Sequence, residues 1–217
     1  MPLYDYLAPA YDPVFEKIYL PFRERALERL AIAPDACILD LACGTGQNFP
    51  LLARHLGRQG HIIGVDISRG MLKYAQRRSS KDGPRVSLFQ ANSANLTPAR
   101  LEAETGAREV DAVLCTYGYT SMRDPEAAFR ASWNVLKPGG GYLVNDIHAP
   151  ARSFHARFVE MATFSCFNEQ AWRPLQMAAS DFRMDYLDPS AHLFGGRLFV
   201  AWGTKHRAAT SATSCPL

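Results

Sequence analysis

Four polar side chains stand where apolar runs end: Asp40 in Ile38-Leu39-Asp40-Leu41, Asp66 after His61-Ile62-Ile63-Gly64-Val65, Asn92 just past Arg85–Gln90, and His148 after Tyr142–Ile147. A carboxylate accepts hydrogen bonds from hydroxyls or answers a cation, and an amide carbonyl accepts from an amino group. A histidine, with a pKa near neutrality, can take a proton from a nucleophile, although a lone histidine at a strand end also serves as a loop or capping residue. Between the first two lies Ala42-Cys43-Gly44-Thr45-Gly46. Its glycines permit a sharp turn and leave no side chain between backbone and ligand. Helix formers follow from Gln47 to Leu56, so free amide groups at a helix start face whatever sits over the turn. Strand, glycine turn and helix together read as a nucleotide-type binding turn.

Two residues narrow the nucleotide. A dinucleotide fingerprint G-x-G-x-x-G has a third glycine where helix and strand pack closely. Position 49 is Phe49, too large for that role. Asp40, at the strand end, is ill placed for a pyrophosphate and well placed for a cation. S-adenosylmethionine, with an ammonium, a sulfonium and an adenosine, matches a carboxylate beside glycines. Asp66 suits ribose hydroxyls in either ligand class, being about twenty residues after the turn.

These residues need a sheet to hold them. Strands are expected over Cys37–Ala42, Gly60–Asp66, Arg85–Gln90, Val110–Cys115, Tyr142–Ile147, Phe182–Leu187 and Arg197–Gly203, separated by helical or loop stretches. Alternation of this kind gives an α/β fold with helices on both faces of a mainly parallel sheet. Ser68 is expected to cap a helix from Gly70 to Arg78, and Asp124-Pro125 to start one ending near Leu136. Thr97–Gly106 reads as a short helix, and Lys137-Pro138-Gly139-Gly140 as a turn before the fifth strand. A helix from Val14 to about Leu30 follows the proline-broken opening, with Pro21 expected to kink or divide it. Residues 1–34 thus form a lid or helical segment, 35–206 the main domain, and 207–217 a loose tail.

Composition bounds the function. A chain of 217 residues, 47% apolar, builds one large core. The net charge is +3 and the signs are interspersed, so there is no nucleic-acid footprint. No apolar run is long enough to span a bilayer, and the opening residues show no signal-peptide pattern. Five cysteines without metal-type spacing read as reduced thiols of a cytosolic protein, with no metal site expected.

The motifs resemble those of class I S-adenosylmethionine-dependent methyltransferases, a Rossmann-like fold. Asp40-Leu41-Ala42-Cys43-Gly44-Thr45-Gly46 is similar to that family's first motif, and Gly64-Val65-Asp66-Ile67-Ser68-Arg69-Gly70-Met71-Leu72 to its second-strand motif. Gln90-Ala91-Asn92, Thr116-Tyr117-Gly118, Leu136–Gly140 and Gly195–Lys205 resemble ubiquinone/menaquinone-biosynthesis C-methyltransferases and small bacterial phospholipid N-methyltransferases. The resemblance runs from about Tyr4 to Lys205. It implies a seven-stranded sheet of order 3-2-1-4-5-7-6 with the last-formed strand antiparallel. It implies a cofactor set of Asp40, Ala42, Cys43, Gly44, Gly46, Asn48, Asp66, Ile67, Met71, Asn92, Ser93, Thr116 and Tyr117. In it Met71 packs on adenine, unless it is plain core. Asn92 takes the adenine amino group, unless it only caps a turn.

Tyr11, Tyr117, Tyr119 and His148 are the candidates at the methyl-transfer site, and aromatics from Phe154 to Trp172 wall the acceptor cavity. The acceptor is expected to be a small or lipid-like molecule. Peripheral membrane contact through the apolar and basic first helix is a further expectation; the motifs leave oligomeric state open. A non-catalytic cofactor-binding protein and a nicotinamide-dependent oxidoreductase are the other readings the residues admit.

Overall fold

The computed structural model describes residues 16–149, 166–167, 170–187 and 196–207. Tyr11 and the opening loop, Phe154 to Phe164 of the expected aromatic wall, and the tail beyond residue 207 lie outside the described residues.

Seven strands form one sheet: β1 (Cys37–Leu41), β2 (His61–Asp66), β3 (Arg85–Gln90), β4 (Val110–Thr116), β5 (Leu136–His148), β6 (Arg183–Tyr186) and β7 (Arg197–Thr204). Their order is 3-2-1-4-5-7-6, as expected. β1 runs parallel to β2 and β4, whereas β7 is antiparallel to β5 and β6. The order therefore reverses between β1 and β4. Side chains alternate across a strand, and the alternation here divides the core in two. Leu39, Leu41, Ile63, Val65, Val113, Cys115, Tyr142 and Val144 are buried in one layer. Ile38, Ile62, Ala112, Leu114 and Leu143 are buried in the other. Both faces are covered, so the central strands are near-continuous apolar runs. Each fully buried leucine or isoleucine contributes about 1.5–3 kcal/mol.

The helices are α1 (residues 16–27), α2 (Phe49–Leu52), α3 (Arg69–Ala75), α4 (Pro98–Thr105), α5 (Pro125–Val135) and α6 (Arg173–Ala178). Ser68, Thr97 and Asp124 cap α3, α4 and α5 by accepting from backbone N–H groups at 3.1, 3.2 and 2.8 Å. No helix among the described residues is long and apolar enough to cross a membrane.

Three local expectations change. α1 continues through Pro21, which is exposed, so of the kink or division expected there the division does not occur. α2 is one short turn, and the side chain of Asn48 at its start makes no cap and bonds to the sheet instead. β5 begins at Leu136, before the Lys-Pro-Gly-Gly stretch ends. Gly139, at φ +82°, lets the strand bulge: Val110 pairs with Leu136 but Ala112 with Gly141.

Phe49 and Gly64 show how the large residue in the glycine turn is housed. A Cβ on Gly64 would sit 2.8 Å from the Phe49 ring and 2.6 Å from Leu88. The small residue needed for close helix–strand packing is thus in β2, and the bulky one is on α2.

Candidate functional site

The site is built at the carboxyl ends of β1, β2 and β4, where ligands of open α/β sheets bind. After β1 the chain turns through Ala42, Gly44 and Gly46, at φ +52°, +55° and +76°. After β4 it turns through Tyr117, at φ +57°. Two non-glycine residues at positive φ on adjacent strand ends carry strain of about 1–3 kcal/mol each, which persists only where surroundings enforce it. Here the enforcement is visible. Cys43 N–H bonds to the Val65 carbonyl at 3.0 Å and Tyr117 N–H to the Asn145 carbonyl at 2.7 Å. The two turns also abut: a Cβ on Gly118 would lie 2.8 Å from the Ala42 Cβ. A Cβ built on Gly44, by contrast, meets nothing within 4 Å. That open face is where a ligand can approach the backbone.

Asp66, 9% exposed, ties this turn to the next. Its Oδ2 accepts from Gly44 N–H at 2.9 Å and its Oδ1 from Ser68 N–H at 2.8 Å. Ile67 beside it is 47% exposed, while Met71 is 4% exposed. Asn92 is exposed and its Oδ1 accepts from Ala94 N–H at 3.1 Å, so the side chain does cap the next turn. Ser93 is buried.

Asp40 is fully buried. Asn48 Nδ2 donates to both its oxygens at 3.0 Å and to Thr116 Oγ1 at 3.0 Å. Burial pushes the Asp40 carboxyl up to about 7, opposed by the Asn48 amide and the Arg23 guanidinium, with Asp66 adding to the rise. Arg23 comes from α1 and is 6% exposed. Its Nη1 donates to Asn48 Oδ1 at 2.9 Å and to Thr116 Oγ1. Its guanidinium lies 4.8 Å from the centre of the Tyr117 ring. The expected cofactor set did not include Arg23. The available signal was its place in a helical stripe: Tyr19, Arg23, Ala26 and Leu27 fall on one face, and all four are buried.

A second cluster lies at the end of β5. His148 is 8% exposed, bonds through Nδ1 to Tyr186 OH at 3.3 Å and packs edge-on against Trp172 at 4.7 Å. Burial, then the Arg197 charge, lowers its pKa, so the ring is neutral at neutral pH. Nearby Asp146 is buried and accepts from Thr120 N–H, Thr120 Oγ1 and Ile147 N–H at 3.2, 2.9 and 2.8 Å. The Tyr19 and Tyr117 rings pack at 4.2 Å, tilted by 36°. Tyr19, Phe167, Ile147 and Leu198 form a small apolar cluster between α1 and β5.

One candidate is corrected. Tyr119 is 1% exposed and belongs to the main core layer. Its hydroxyl bonds to Tyr142 OH, which also bonds Ser132 Oγ at 2.7 Å. A ring sealed in the core with its hydroxyl engaged there has no access to a substrate. Cys43 is buried, which pushes its thiol well up; it stays protonated and is no nucleophile. The four described cysteines are free thiols.

The residues present fit S-adenosylmethionine. The turn is open at Gly44, an acid stands beside it, an exposed apolar side chain flanks that acid, and a buried carboxyl and a buried guanidinium line the deep end.

Comparisons with known proteins agree. Residues 38–140 match the family described as methyltransferase domain. The chain is 28% identical over 201 residues to a 2-phytyl-1,4-naphtoquinone methyltransferase of Thermosynechococcus vestitus, covering 88% of this chain and 82% of that protein. It is 33% identical to a demethylmenaquinone methyltransferase of Lactiplantibacillus plantarum, covering 68% of this chain and 62% of the relative. It is 31% identical to a ubiquinone/menaquinone biosynthesis C-methyltransferase of Wigglesworthia glossinidia brevipalpis, covering 61% and 51%. The chain thus spans less than two thirds of these last two relatives. Among solved structures, the fold is shared with the complex of DhpI and S-adenosylhomocysteine, at TM-score 0.66 and 21% identity over 94% of this chain and 95% of that one. The switch-point turn and its flanking acids thus lie within the stretch that matches the methyltransferase domain family, and the chain is similar over most of its length to a quinone methyltransferase.

Proposed function

We propose that the protein methylates a small, lipid-like acceptor of the hydroquinone type. The support is the pairing of a cofactor turn with an apolar, aromatic flank, together with relatives named for naphthoquinone and menaquinone methylation. The observation that carries the reading is the open face of Gly44, bounded by Asp66 and the buried Asp40.

Bound S-adenosylmethionine supplies a methyl group already activated on a sulfonium, so the chain needs no catalytic triad. In this reading Gly44 and Gly46 admit the cofactor's amino-acid part, with Ala42, Cys43 and Asn48 shaping the turn. Asp66 accepts from the ribose hydroxyls. Ile67 and Met71 offer apolar surface to the adenine, and Asn92 and Ser93 its polar edge. Thr116 and Tyr117 close the floor. Tyr19 and Tyr117 exclude water and align the acceptor; alignment of this kind supplies up to about 7–11 kcal/mol of a barrier. A hydroquinone must lose a proton to become a good nucleophile, and a neutral His148 can accept one.

The test is labelled methyl transfer to a demethylated naphthoquinone, supplied reduced and oxidised in separate reactions. Label should enter only the reduced form. No incorporation there, with incorporation into phosphatidylethanolamine instead, would replace this reading by amine methylation.

A lipid-like acceptor also favours contact with a membrane surface. On the exposed side of α1, Ile18 is 36% exposed beside Lys17. Sedimentation with anionic liposomes at low salt should bring the protein into the pellet; its absence there would dismiss membrane contact.

A further inference from the structure

The carboxyl edge holds a buried cation whose charge the described residues do not directly pair. Arg23 is 6% exposed, yet both acceptors of its Nη1, Asn48 Oδ1 and Thr116 Oγ1, are neutral. Its Nε is buried and has no hydrogen-bond partner among the described residues. A guanidinium offers five donors in a rigid fork, and leaving such a group buried and partly unused is costly. The position is held, not loose. Asn48 is fixed from behind by Asp40, Thr116 closes the other side, and the Tyr117 ring lies under the cation. Arg23 therefore projects between the ends of β1 and β4, over the deep end of the glycine turn.

The amino-acid tail of S-adenosylmethionine is a zwitterion. Asp40 answers an ammonium. The tail's carboxylate needs a cation, and Arg23 is the one that the described residues place there. We propose that Arg23 receives this carboxylate, through the edge that includes Nε, while Nη1 keeps its bonds to Asn48 and Thr116. The inference rests on the cofactor reading above and deepens it. It makes α1 part of the cofactor site. Because Tyr19 lies one turn before Arg23 on the same face, the helix that grips the cofactor's tail also walls the methyl-transfer side.

The alternative is that Arg23 only straps α1 to the sheet. Calorimetry with two probes separates the two: S-adenosylhomocysteine, and 5′-methylthioadenosine, which lacks the amino-acid tail. Loss of a charge-assisted fork should weaken S-adenosylhomocysteine by about 30-fold in Arg23→Gln, with methylthioadenosine changed by less than about threefold. Arg23→Lys, which keeps the charge but not the fork, should fall between. Parallel loss of both ligands, or no loss of either, overturns the proposal. A second measurement needs no variant: decarboxylated S-adenosylhomocysteine should bind the native protein about 30-fold more weakly than the intact compound. Equal binding overturns the proposal while leaving the cofactor reading intact. Failure of the native protein to bind any of the three ligands overturns both.

Discussion

The two edges of the sheet hold charge in opposite ways. At the amino edge a cavity of about 680 Å³ is lined by Arg29, Asp35, Asp111, Lys137 and Arg183 among others. There Asp111 and Lys137 pair at 2.6 Å with side chains 39% and 44% exposed, and Arg29 meets the half-exposed Asp185. At the carboxyl edge Asp40 and Arg23 are almost fully buried, and Ala42 and Tyr117 are held at positive φ. Charges near water relax into pairs of small value. Buried ionisable groups and strained backbone persist only where the rest of the fold enforces them, and such places are where ligands are handled.

The sharpest way to break this contrast is Gly44→Val. Its backbone at φ +55° disfavours a branched residue, and the added atoms would occupy the open ligand face. Affinity for S-adenosylhomocysteine should fall by about two orders of magnitude or more, with turnover lost; a variant that still methylates contradicts close backbone approach. Asp66→Ala comes next. It removes the acceptor proposed for the ribose, and calorimetry should show a loss of about tenfold or more; unchanged affinity would remove Asp66 from the cofactor site.

Asp40 gives an effect on stability. Burial raises its folded pKa to about 7, well above the ordinary carboxylate range near 4, so its contribution to stability is fully present below about 4 and is lost as pH rises through about 7. Asp146, pushed by burial to about 6, acts in the same direction. Denaturation midpoints should therefore fall between about pH 4 and 7, and Asp40→Asn should flatten part of that fall. An Asp40→Asn curve parallel to the native one would contradict a buried, uncharged-leaning carboxyl. The smallest effect belongs to the amino edge. Asp111→Asn should cost no more than about 1 kcal/mol and leave cofactor affinity unchanged. A loss of affinity there would dissolve the contrast between the edges.

Much of this was legible from residue order. Apolar runs located the seven strands, and the acids at the ends of the first two marked the ligand edge. Asp40, Asn48, Thr116 and Tyr117, named separately from motifs, converge in one bonded network. What failed depended on partners distant in sequence. Tyr119 follows the fourth strand and so reads as an edge residue, but its hydroxyl bonds inside the core to Tyr142, which is itself bonded to Ser132. Arg23 reads as one more basic residue on an amphipathic helix, because nothing local shows that Asn48 and Thr116 await it. Phe49 signals that a dinucleotide turn is absent, but its compensation at Gly64 emerges only when β2 is in place.

Hydrogen–deuterium exchange with and without S-adenosylhomocysteine tests the assignment of the two edges most directly. Binding should slow exchange across residues 40–48, 66–71 and 116–118 and leave residues 137–141 as they were. Protection centred on the amino-edge cavity, with none at the glycine turn, would contradict it.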